Sequence, residues 1–393
     1  MAEAFIVAAV RTAAGRRGGR LAGWHPADLA AQVIDDLVRR AQADPALVDD
    51  VLMGCVSQVG EQSSNVARNA VLASCLPESV PATSIDRQCG SSQQALHFAA
   101  QAVMSGTMDC VIAAGVESMT RVPMFTPSAL PARHGMGSYM SPNMQTRYPG
   151  VVFSQFTGAE MIATRYGLGR DQLDAYACES HQRAIAATRA GRFDTEILPL
   201  AVRPVDGTAP TEALHTVDEG IRFDATLAGI GSVKLLAEGG VITAANASQI
   251  ADGASGVLVV NERGLKALGV APLARIHHLS VLGHDPVVML EAPIPATHRA
   301  LRRAGMAIDD IDLFEVNEAF ACVPLAWLRS TGADPARLNV HGGAIALGHP
   351  LGASGTRLMA TLIHALQVRG GRYGLQTMCE GGGMANVTII ERL

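Results

Sequence analysis

The sequence predicts a layered α/β protein, and three observations lead to this fold class. Segments with one apolar helical face alternate with continuously apolar segments typical of buried strands, which indicates a mostly parallel sheet covered by helices. The chain has 393 residues, of which 48% are hydrophobic and 17% charged, enough for more than one structural unit. The order of the segments also recurs in the second half, which favours a duplicated unit.

The first half begins with residues 5–10, an apolar segment that we interpret as a buried strand. A helix is predicted over residues 26–40, because apolar residues fall on one face between an initial proline and terminal arginines. The next strand, helix and strand are predicted in order at residues 49–58, 91–104 (with Gly106 as the helix stop) and 110–117.

The second half repeats this order. DDIDLFEV at residues 309–316 resembles DDVLMGCV at residues 49–56, and a helical segment follows each. A glycine-rich turn, a helix and a strand come next in both halves, with CGSS in the first turn and GHPLGASG in the second. A duplicated α/β unit explains the recurrence economically.

Between the halves the composition changes to proline, glycine, methionine and charge, with helices such as residues 171–190. We interpret this region as an inserted loop domain with its own function. The expected organisation is an N-terminal α/β half at residues 1–118 completed by about 246–268, a loop domain at 119–245 and a C-terminal α/β half at 269–393.

Charge and hydropathy exclude several classes of protein. A net charge of -5 and a sequence pI near 6.2 give no reason to expect binding to nucleic acid or to an anionic membrane. The longest apolar stretches fall far short of the roughly 20 residues of a membrane-spanning helix. The basic opening segment resembles a transit segment, but a strand followed by a glycine-rich loop is the better interpretation, so we expect a cytoplasmic protein.

The seven cysteines are scattered, odd in number and without a CxxC pair. This pattern disfavours both a disulfide framework and a zinc site. Most of them are expected to be small core residues. Cys89 and Cys379 differ from the others because glycines surround them.

The first candidate site is DRQCGSSQQA, residues 86–95, where Cys89 lies between a strand end and a helix start. Such a position exposes the sulfur to the positive end of the helix, so the thiol pKa can be lowered toward a thiolate at neutral pH. From this motif alone, a buried cysteine in a tight turn is an equally good interpretation.

The second candidate site is NVHGGAIALGHPLGASG, residues 339–355, with His349 between Gly348 and Pro350. Glycines let the backbone approach a ligand, and a neutral imidazole can take a proton from a cysteine or polarise a carbonyl. The missing GxxxxGK[ST] pattern disfavours a phosphate-binding P-loop. A structural histidine would explain neither the proline nor the glycines.

Two further candidate groups follow strands. In MCEGGGMA, residues 378–385, Cys379 precedes three glycines, where a thiol can exchange a proton with carbon and backbone N–H groups can hold an oxyanion. A buried cysteine in a glycine turn is the alternative. In VNEAFA, residues 316–321, Asn317 follows an apolar strand, with helix capping as the alternative to a functional role.

Together these four segments resemble the thiolase family, in particular its degradative actinobacterial-type members, and the resemblance extends from FIVAAVRT at residue 5 to VTIIERL at the C-terminus. It implies a thiolase-like five-layered αβαβα fold from two similar halves, with the loop domain contacting coenzyme A. It also implies homodimers or homotetramers, coenzyme A as a co-substrate, and no permanently bound cofactor or metal.

By this resemblance, Cys89 is the acyl-accepting nucleophile, His349 the base that activates it, and Cys379 the acid or base at the substrate α-carbon. Asn317 would hold a water and share with His349 an oxyanion hole for the enolate. Backbone N–H groups of Cys89 and Gly381 would form a second hole for the tetrahedral thioester oxygen.

For coenzyme A, the resemblance points to Ser248 in NASQIADG beside the pantetheine and to Arg222 in DEGIRF near the nucleotide. Ala319 and Phe320 would line the tunnel. From the residues alone, Ser248 could instead cap a helix and Arg222 could be an ordinary solvated charge.

The predicted reaction is coenzyme A-dependent cleavage of a β-ketoacyl-CoA to acetyl-CoA and a shortened acyl-CoA, the reverse of a Claisen condensation. FSQFTGAE at residues 153–160 lacks the histidine-methionine-glycine segment of short-chain members, which favours medium or bulky acyl groups, including steroid-derived ones. Asp86, Ser92 and His341 also depart from the family's usual residues, but replace no catalytic atom. A short-chain acetyltransferase that forms acetoacetyl-CoA is the alternative.

Three rival functions can be weighed against the sequence. It disfavours the first two, and the third is open to test. A decarboxylating ketoacyl synthase would carry a second histidine where this chain has Cys379. A non-catalytic acyl-CoA scaffold would have no need of Cys89, His349, Cys379 and Asn317 together. A cysteine hydrolase fits the generic Cys89 and His349 pair and would release free acid.

Overall fold

The structure is a computed structural model that describes residues 2–206 and 211–393. Its strands are β1 (Phe5–Thr12), β2 (Gly15–Arg16), β3 (Asp50–Gly54), β4 (Ala82–Ile85), β5 (Cys110–Ser118), β6 (Ile197–Leu198), β7 (Leu200–Ala201), β8 (Leu214–His215), β9 (Ala251–Val260), β10 (Ala274–Gly283), β11 (Leu313–Val316), β12 (Tyr373–Glu380) and β13 (Met384–Arg392).

The helices alternate with these strands. They are α1 (Pro26–Arg40), α2 (Val66–Leu72), α3 (Ser91–Ser105), α4 (Thr126–Arg133), α5 (Pro142–Arg147), α6 (Gln155–Arg165), α7 (Arg170–Arg189), α8 (Leu227–Gly231), α9 (Glu262–Leu268), α10 (Pro293–Ala304), α11 (Cys322–Thr331), α12 (Ala344–Leu347) and α13 (Ser354–Arg369). No described helix is long and apolar enough to span a membrane.

The main sheet has the order β11-β12-β13-β10-β1-β9-β5-β3-β4 and is mixed. β3 runs parallel to β4 and β5, and β11 runs parallel to β12, but β1, β9, β10 and β13 join their neighbours in this order antiparallel. The expectation of a mostly parallel sheet is therefore wrong. A strand is continuously apolar when both of its faces are buried. Helices cover both faces of this sheet, so parallel and antiparallel strands have the same apolar pattern.

Two halves of the sheet meet at β1 and β10, where the ladder contains only the pairs Phe5 with Arg275 and Ile6 with Ala274. α3 and α13 lie between the halves, because each contacts strands of both. α1 and α2 cover the outer face of the first half, and α10 covers that of the second. Three apolar clusters fill the spaces between these layers. The α/β thiolase-like fold expected from the sequence is confirmed.

Local sequence explains where the main helices begin and end. α1 starts with Pro26, whose missing N–H costs nothing in the first turn, and its last turn carries Arg39 and Arg40. α3 ends at Gly106, which has a left-handed φ of 77°, as the sequence predicts. The region between β5 and β9 contains α4 to α8. The predicted domain boundaries stay a prediction.

Candidate active site

The turn that carries Cys89 joins β4 to α3 and is held in an uncommon conformation. Gln88, the preceding residue, has a left-handed φ of 50°. The Ser91 hydroxyl donates to the Gln88 carbonyl at 2.5 Å and accepts from the Arg87 N–H at 2.9 Å. A non-glycine residue in this region costs of order 1–3 kcal/mol and persists only where the surroundings enforce it.

The sequence predicts a lowered thiol pKa for Cys89, and this prediction is wrong. The residue keeps part of its surface exposed, but protein atoms surround its sulfur. Burial raises the thiol pKa well above its ordinary value, and Cys379 and Glu380 raise it further. The helix end does not compensate, so the free protein holds a neutral thiol at Cys89.

His349 follows α12 and is held by two hydrogen bonds. Its backbone N–H donates to the Gln249 carbonyl at 3.0 Å, and its Nδ1 lies 2.6 Å from Oγ of Ser354. The Ser354 hydroxyl donates its single proton to the Pro350 carbonyl at 2.9 Å. Nδ1 must therefore carry the imidazole proton and donate it to Ser354, which leaves a lone pair on Nε2. Burial lowers the pKa of His349 to about 3, so the ring is neutral.

Asn317 lies beside the unprotonated nitrogen of His349. Its Nδ2 is 3.4 Å from Nε2 of His349, and its backbone N–H donates to Thr377 at 3.1 Å. Its buried Oδ1 has no partner among the described residues. A buried amide oxygen without a partner fits a bound water or ligand group. The helix-capping alternative is wrong, because α11 begins at Cys322 and has no side-chain cap.

Cys379 lies at the end of β12, paired with Ala385 of β13. Burial raises its thiol pKa to about 12, with Cys322 and Glu380 as further causes. Gly381 adjoins the Cys89 turn: a Cβ on Gly381 would lie 2.9 Å from Oε1 of Gln88. The two predicted sources of backbone N–H donors are therefore on neighbouring segments.

The first turns of α3 and α13 are in close contact, which brings the cysteine turn and the histidine turn together. A Cβ on Gly355 would lie 2.1 Å from the backbone nitrogen of Gln93. The Thr356 N–H donates to the Ser92 hydroxyl at 3.0 Å across the two helices. Only glycine at position 355 allows this approach.

Glu117, near the end of β5, connects the segment that follows β3 to the turn that carries His349. One carboxyl oxygen accepts from the N–H groups of Val56 and Gly352, both at 2.9 Å. The other accepts from the Ser57 N–H and from the Gln62 amide, both at 3.0 Å. Burial raises the pKa of Glu117, and the four donors oppose this shift because they favour the charged form.

Three of the four residues predicted for coenzyme A lie together. The Ser248 N–H donates to the Ala319 carbonyl at 2.9 Å, and Ala247 and Phe320 form a β-bridge. Ser248 does not cap a helix, because β9 begins at Ala251. Arg222 is exposed and lines a small cavity with Gln249, the residue after Ser248.

Four residues with direct contacts to the site were not identified from the sequence. They are Ser354, Glu117, Gln249 and Glu380. Ser354, Gln249 and Glu380 stand inside the quoted motifs, so their position was a signal, although their partners were not visible. Glu117 ends the strand predicted at residues 110–117, and its contacts with the site could not be predicted because they are made by segments remote in the chain.

The site combines two protonated thiols with a neutral imidazole whose Nε2 is unprotonated, at helix starts and strand ends of an α/β fold, and these are the groups that acyl transfer requires. Comparison with known proteins defines the family. Residues 4–263 match the thiolase N-terminal domain and residues 270–392 match the thiolase C-terminal domain. The chain belongs to the thiolase family and is an acyltransferase that uses coenzyme A.

Its relatives carry thiolase names. The chain is 52% identical to the steroid 3-ketoacyl-CoA thiolase of Mycobacterium tuberculosis, over 100% of this chain and 95% of the relative. It is 42% identical to the 3-ketoacyl-CoA thiolase of Pseudoalteromonas translucida, over 99% and 98% of the two chains. A 3-ketoacyl-CoA thiolase of Vibrio cholerae is 41% identical, with 98% of each chain covered.

Proposed function

We propose that this chain is a degradative thiolase that cleaves a medium or bulky β-ketoacyl-CoA through an acyl group carried on Cys89. The observation that carries the proposal is the fixed tautomer of His349, whose unprotonated Nε2 can take a proton inside a site that holds two neutral thiols. A base with a pKa far above neutrality would already be protonated and could not do so.

The first half of the reaction forms a carbon–sulfur bond, breaks a carbon–carbon bond and transfers two protons. Sγ of Cys89 attacks the β-keto carbon while its proton moves to Nε2 of His349. The bond between the α- and β-carbons then breaks, which leaves the acyl group on Cys89 and an acetyl-CoA enolate. The thiol of Cys379 protonates the α-carbon, and acetyl-CoA departs.

The second half restores every proton. The Cys379 thiolate takes the thiol proton of an incoming coenzyme A, and the resulting thiolate attacks the acyl group on Cys89. The shortened acyl-CoA leaves, and His349 returns its proton to Cys89. Ping-pong kinetics are expected from these two stages.

Two oxyanion sites belong to the proposal. A water on the unpartnered Oδ1 of Asn317, together with His349, would stabilise the enolate oxygen. The N–H groups of Cys89 and Gly381, on adjoining segments, would hold the tetrahedral oxygen. Arg222, Ser248, Ala319 and Phe320 would contact coenzyme A.

The proposed size of the acyl group depends on α6, which we place at the wall of the acyl pocket. Phe156 of this helix packs edge to face on Phe320, with ring centroids 5.7 Å apart. Phe156 belongs to FSQFTGAE, the segment in which short-chain members carry histidine-methionine-glycine, and the relative at 52% identity is named for steroid substrates. We also propose a cytoplasmic location and homodimers or homotetramers.

Thiolysis of a matched substrate series tests the proposal. β-Ketoacyl-CoA substrates from acetoacetyl through long-chain to ring-bearing are supplied with coenzyme A to the wild type, to Cys89→Ala and to Cys75→Ala. Cys75 is an exposed free cysteine outside the site and serves as the control. We expect turnover to rise with the bulk of the acyl group, to vanish in Cys89→Ala and to persist in Cys75→Ala.

Each other outcome contradicts a different part of the proposal. Turnover confined to acetoacetyl-CoA would make the protein a short-chain acetyltransferase. Release of free acid would indicate a hydrolase. Full activity in Cys89→Ala would remove the proposed nucleophile.

A further inference from the structure

Glu380 is a buried carboxyl group that the proposed mechanism does not use. It follows Cys379 at the end of β12 and is fully inaccessible to solvent. Neither of its carboxyl oxygens has a hydrogen-bond partner of ordinary geometry among the described residues. Buried carboxyl groups are normally paired because an unpaired buried charge is costly, so this side chain is exceptional.

The carboxyl lies between the two thiol-bearing segments. A Cβ on Gly90 would come within 2.0 Å of Oε1 and 2.6 Å of Cδ of Glu380. Glu380 is thus bonded to Cys379 through the backbone and touches the residue bonded to Cys89. A single negative charge here would act on both sulfurs through a medium with little water.

The groups that face Glu380 do not neutralise it. Arg87, from the turn before α3, and the backbone N–H of Asn386 in β13 favour its charged form. Burial outweighs both and raises the pKa of Glu380 to about 8. Among the described residues, the other titratable groups that interact with it are the thiols of Cys89 and Cys379. Its cross-strand partner, Met384, carries no charge.

We propose that Glu380 is a positioning residue that controls how readily the two site thiols ionise. As a neutral acid it leaves Cys89 and Cys379 free to exchange protons with His349 and the substrate. As a carboxylate it opposes a second negative charge on either sulfur. This inference rests on the proposed function of the site, because it assigns the two thiols to one reaction.

The consequence is a thiol reactivity with an unusual pH dependence. At pH 6 the carboxyl is protonated and carries no charge, so replacing it with a neutral group changes nothing electrostatic. Above about pH 8 the carboxyl ionises and suppresses thiolate formation in the wild type. The three groups then titrate as a coupled set rather than independently.

Alkylation of Cys89 by iodoacetamide, followed by peptide mass spectrometry from pH 6 to pH 9.5, tests the proposal. Glu380→Gln keeps the shape and removes the charge. We expect equal rates for Glu380→Gln and the wild type at pH 6, and alkylation on the order of ten-fold faster in the variant at pH 9.5. A rate ratio that is the same at every pH, whatever its size, would overturn the proposal.

Two further variants keep the result interpretable. Glu380→Met has a similar length and no charge, and it must give the same ratios where the glutamine variant does not fold. Glu391→Gln is the control, because Glu391 is also buried but lies at the far end of β13, roughly 20 Å along the strand from Met384. Its ratio is expected to stay at one.

The readout does not depend on thiolysis. A pH-dependent ratio with no thiolase activity would retain the role of Glu380 and reject the proposed function. If the ratio of alkylation rates does not change with pH but the protein is an active thiolase, the proposed function stands and the role of Glu380 is rejected.

Discussion

At the scale of single residues, burial decides the resting protonation of the site. A helix N-terminus favours a thiolate by roughly 0.3–1 kcal/mol, whereas full burial shifts a pKa by up to about 3–5 units, equivalent to roughly 4–7 kcal/mol. Burial therefore wins at Cys89, whose pKa is raised, and at His349, whose pKa is lowered to about 3. Thiol and imidazole are both neutral before substrate arrives.

The tautomer of His349 depends on one hydroxyl group, which leads to a prediction for Ser354→Ala. Without the acceptor at 2.6 Å from Nδ1, the ring can carry its proton on Nε2 and lose its function as a base. We expect kcat for thiolysis to fall roughly ten- to a hundred-fold, the range seen for partners that orient metal-bound histidines. Steady-state kinetics and the ¹⁵N chemical shifts of His349 measure the two effects.

Ser255→Ala is the matched control for that experiment. Ser255 is equally buried and bonds to Ala353 and Thr356, next to Ser354, without touching His349. Its variant is expected to keep the tautomer and most of the activity. Unchanged ¹⁵N shifts in Ser354→Ala would contradict the assigned hydrogen-bond direction.

At the scale of elements, the site depends on how closely α3 and α13 approach. Small residues line their contact, and the hydrogen bond from Thr356 to Ser92 joins their first turns. Cys89 lies two residues before α3 and His349 five residues before α13, so the helix contact helps to set the distance between the turns that carry them. The glycines of the two motifs serve this packing as well as any ligand.

Gly355→Ala tests the helix contact. Alanine is the better helix former by roughly 0.5–1 kcal/mol, but its Cβ would lie 2.1 Å from the Gln93 backbone. We expect the clash to dominate and the free energy of unfolding to fall by about 1–3 kcal/mol, measured by urea denaturation. Gly283→Ala, where a Cβ meets nothing within 4 Å, is the control and should change stability by less than about 0.5 kcal/mol.

At the scale of the whole molecule, buried ion pairs connect β1 to the region between β5 and β9. Arg11 is fully buried and bonds to Glu196 at 2.5 Å and to Asp218 at 2.8 Å. Asp218 also accepts from the Ala14 N–H at 2.7 Å. The region that contains Arg222 is thereby attached to the first strand of the sheet.

Arg11→Met leaves two buried carboxylates without their cation. Breaking a buried pair in this way costs about 3–5 kcal/mol, so we expect a loss of that size in the free energy of unfolding. Looser attachment of the region around Arg222 is also expected to raise KM for coenzyme A more than it lowers kcat. Arg263→Met, which removes an exposed pair with Asp109, is expected to change neither quantity measurably. Equal effects of the two variants would contradict the role assigned to Arg11.

The sequence by itself determined the α/β class, the main helices and the thiolase family. These follow from local information: apolar periodicity marks α1, Gly106 ends α3, and motif residues such as Cys89 and His349 stand at turns that glycine permits. The family can be recognised from the order of its motifs along the chain without knowledge of tertiary contacts.

Only the tertiary structure decided strand direction, protonation and the supporting contacts. The antiparallel pairing of β5 with β9 joins segments more than a hundred residues apart, and apolar composition is the same for either direction. The raised pKa of Cys89, the tautomer of His349 and the position of Glu380 against Gly90 each depend on atoms brought in by remote segments. Burial and hydrogen bonding depend on residues that are distant in the sequence, so they cannot be predicted from the residues next to a motif.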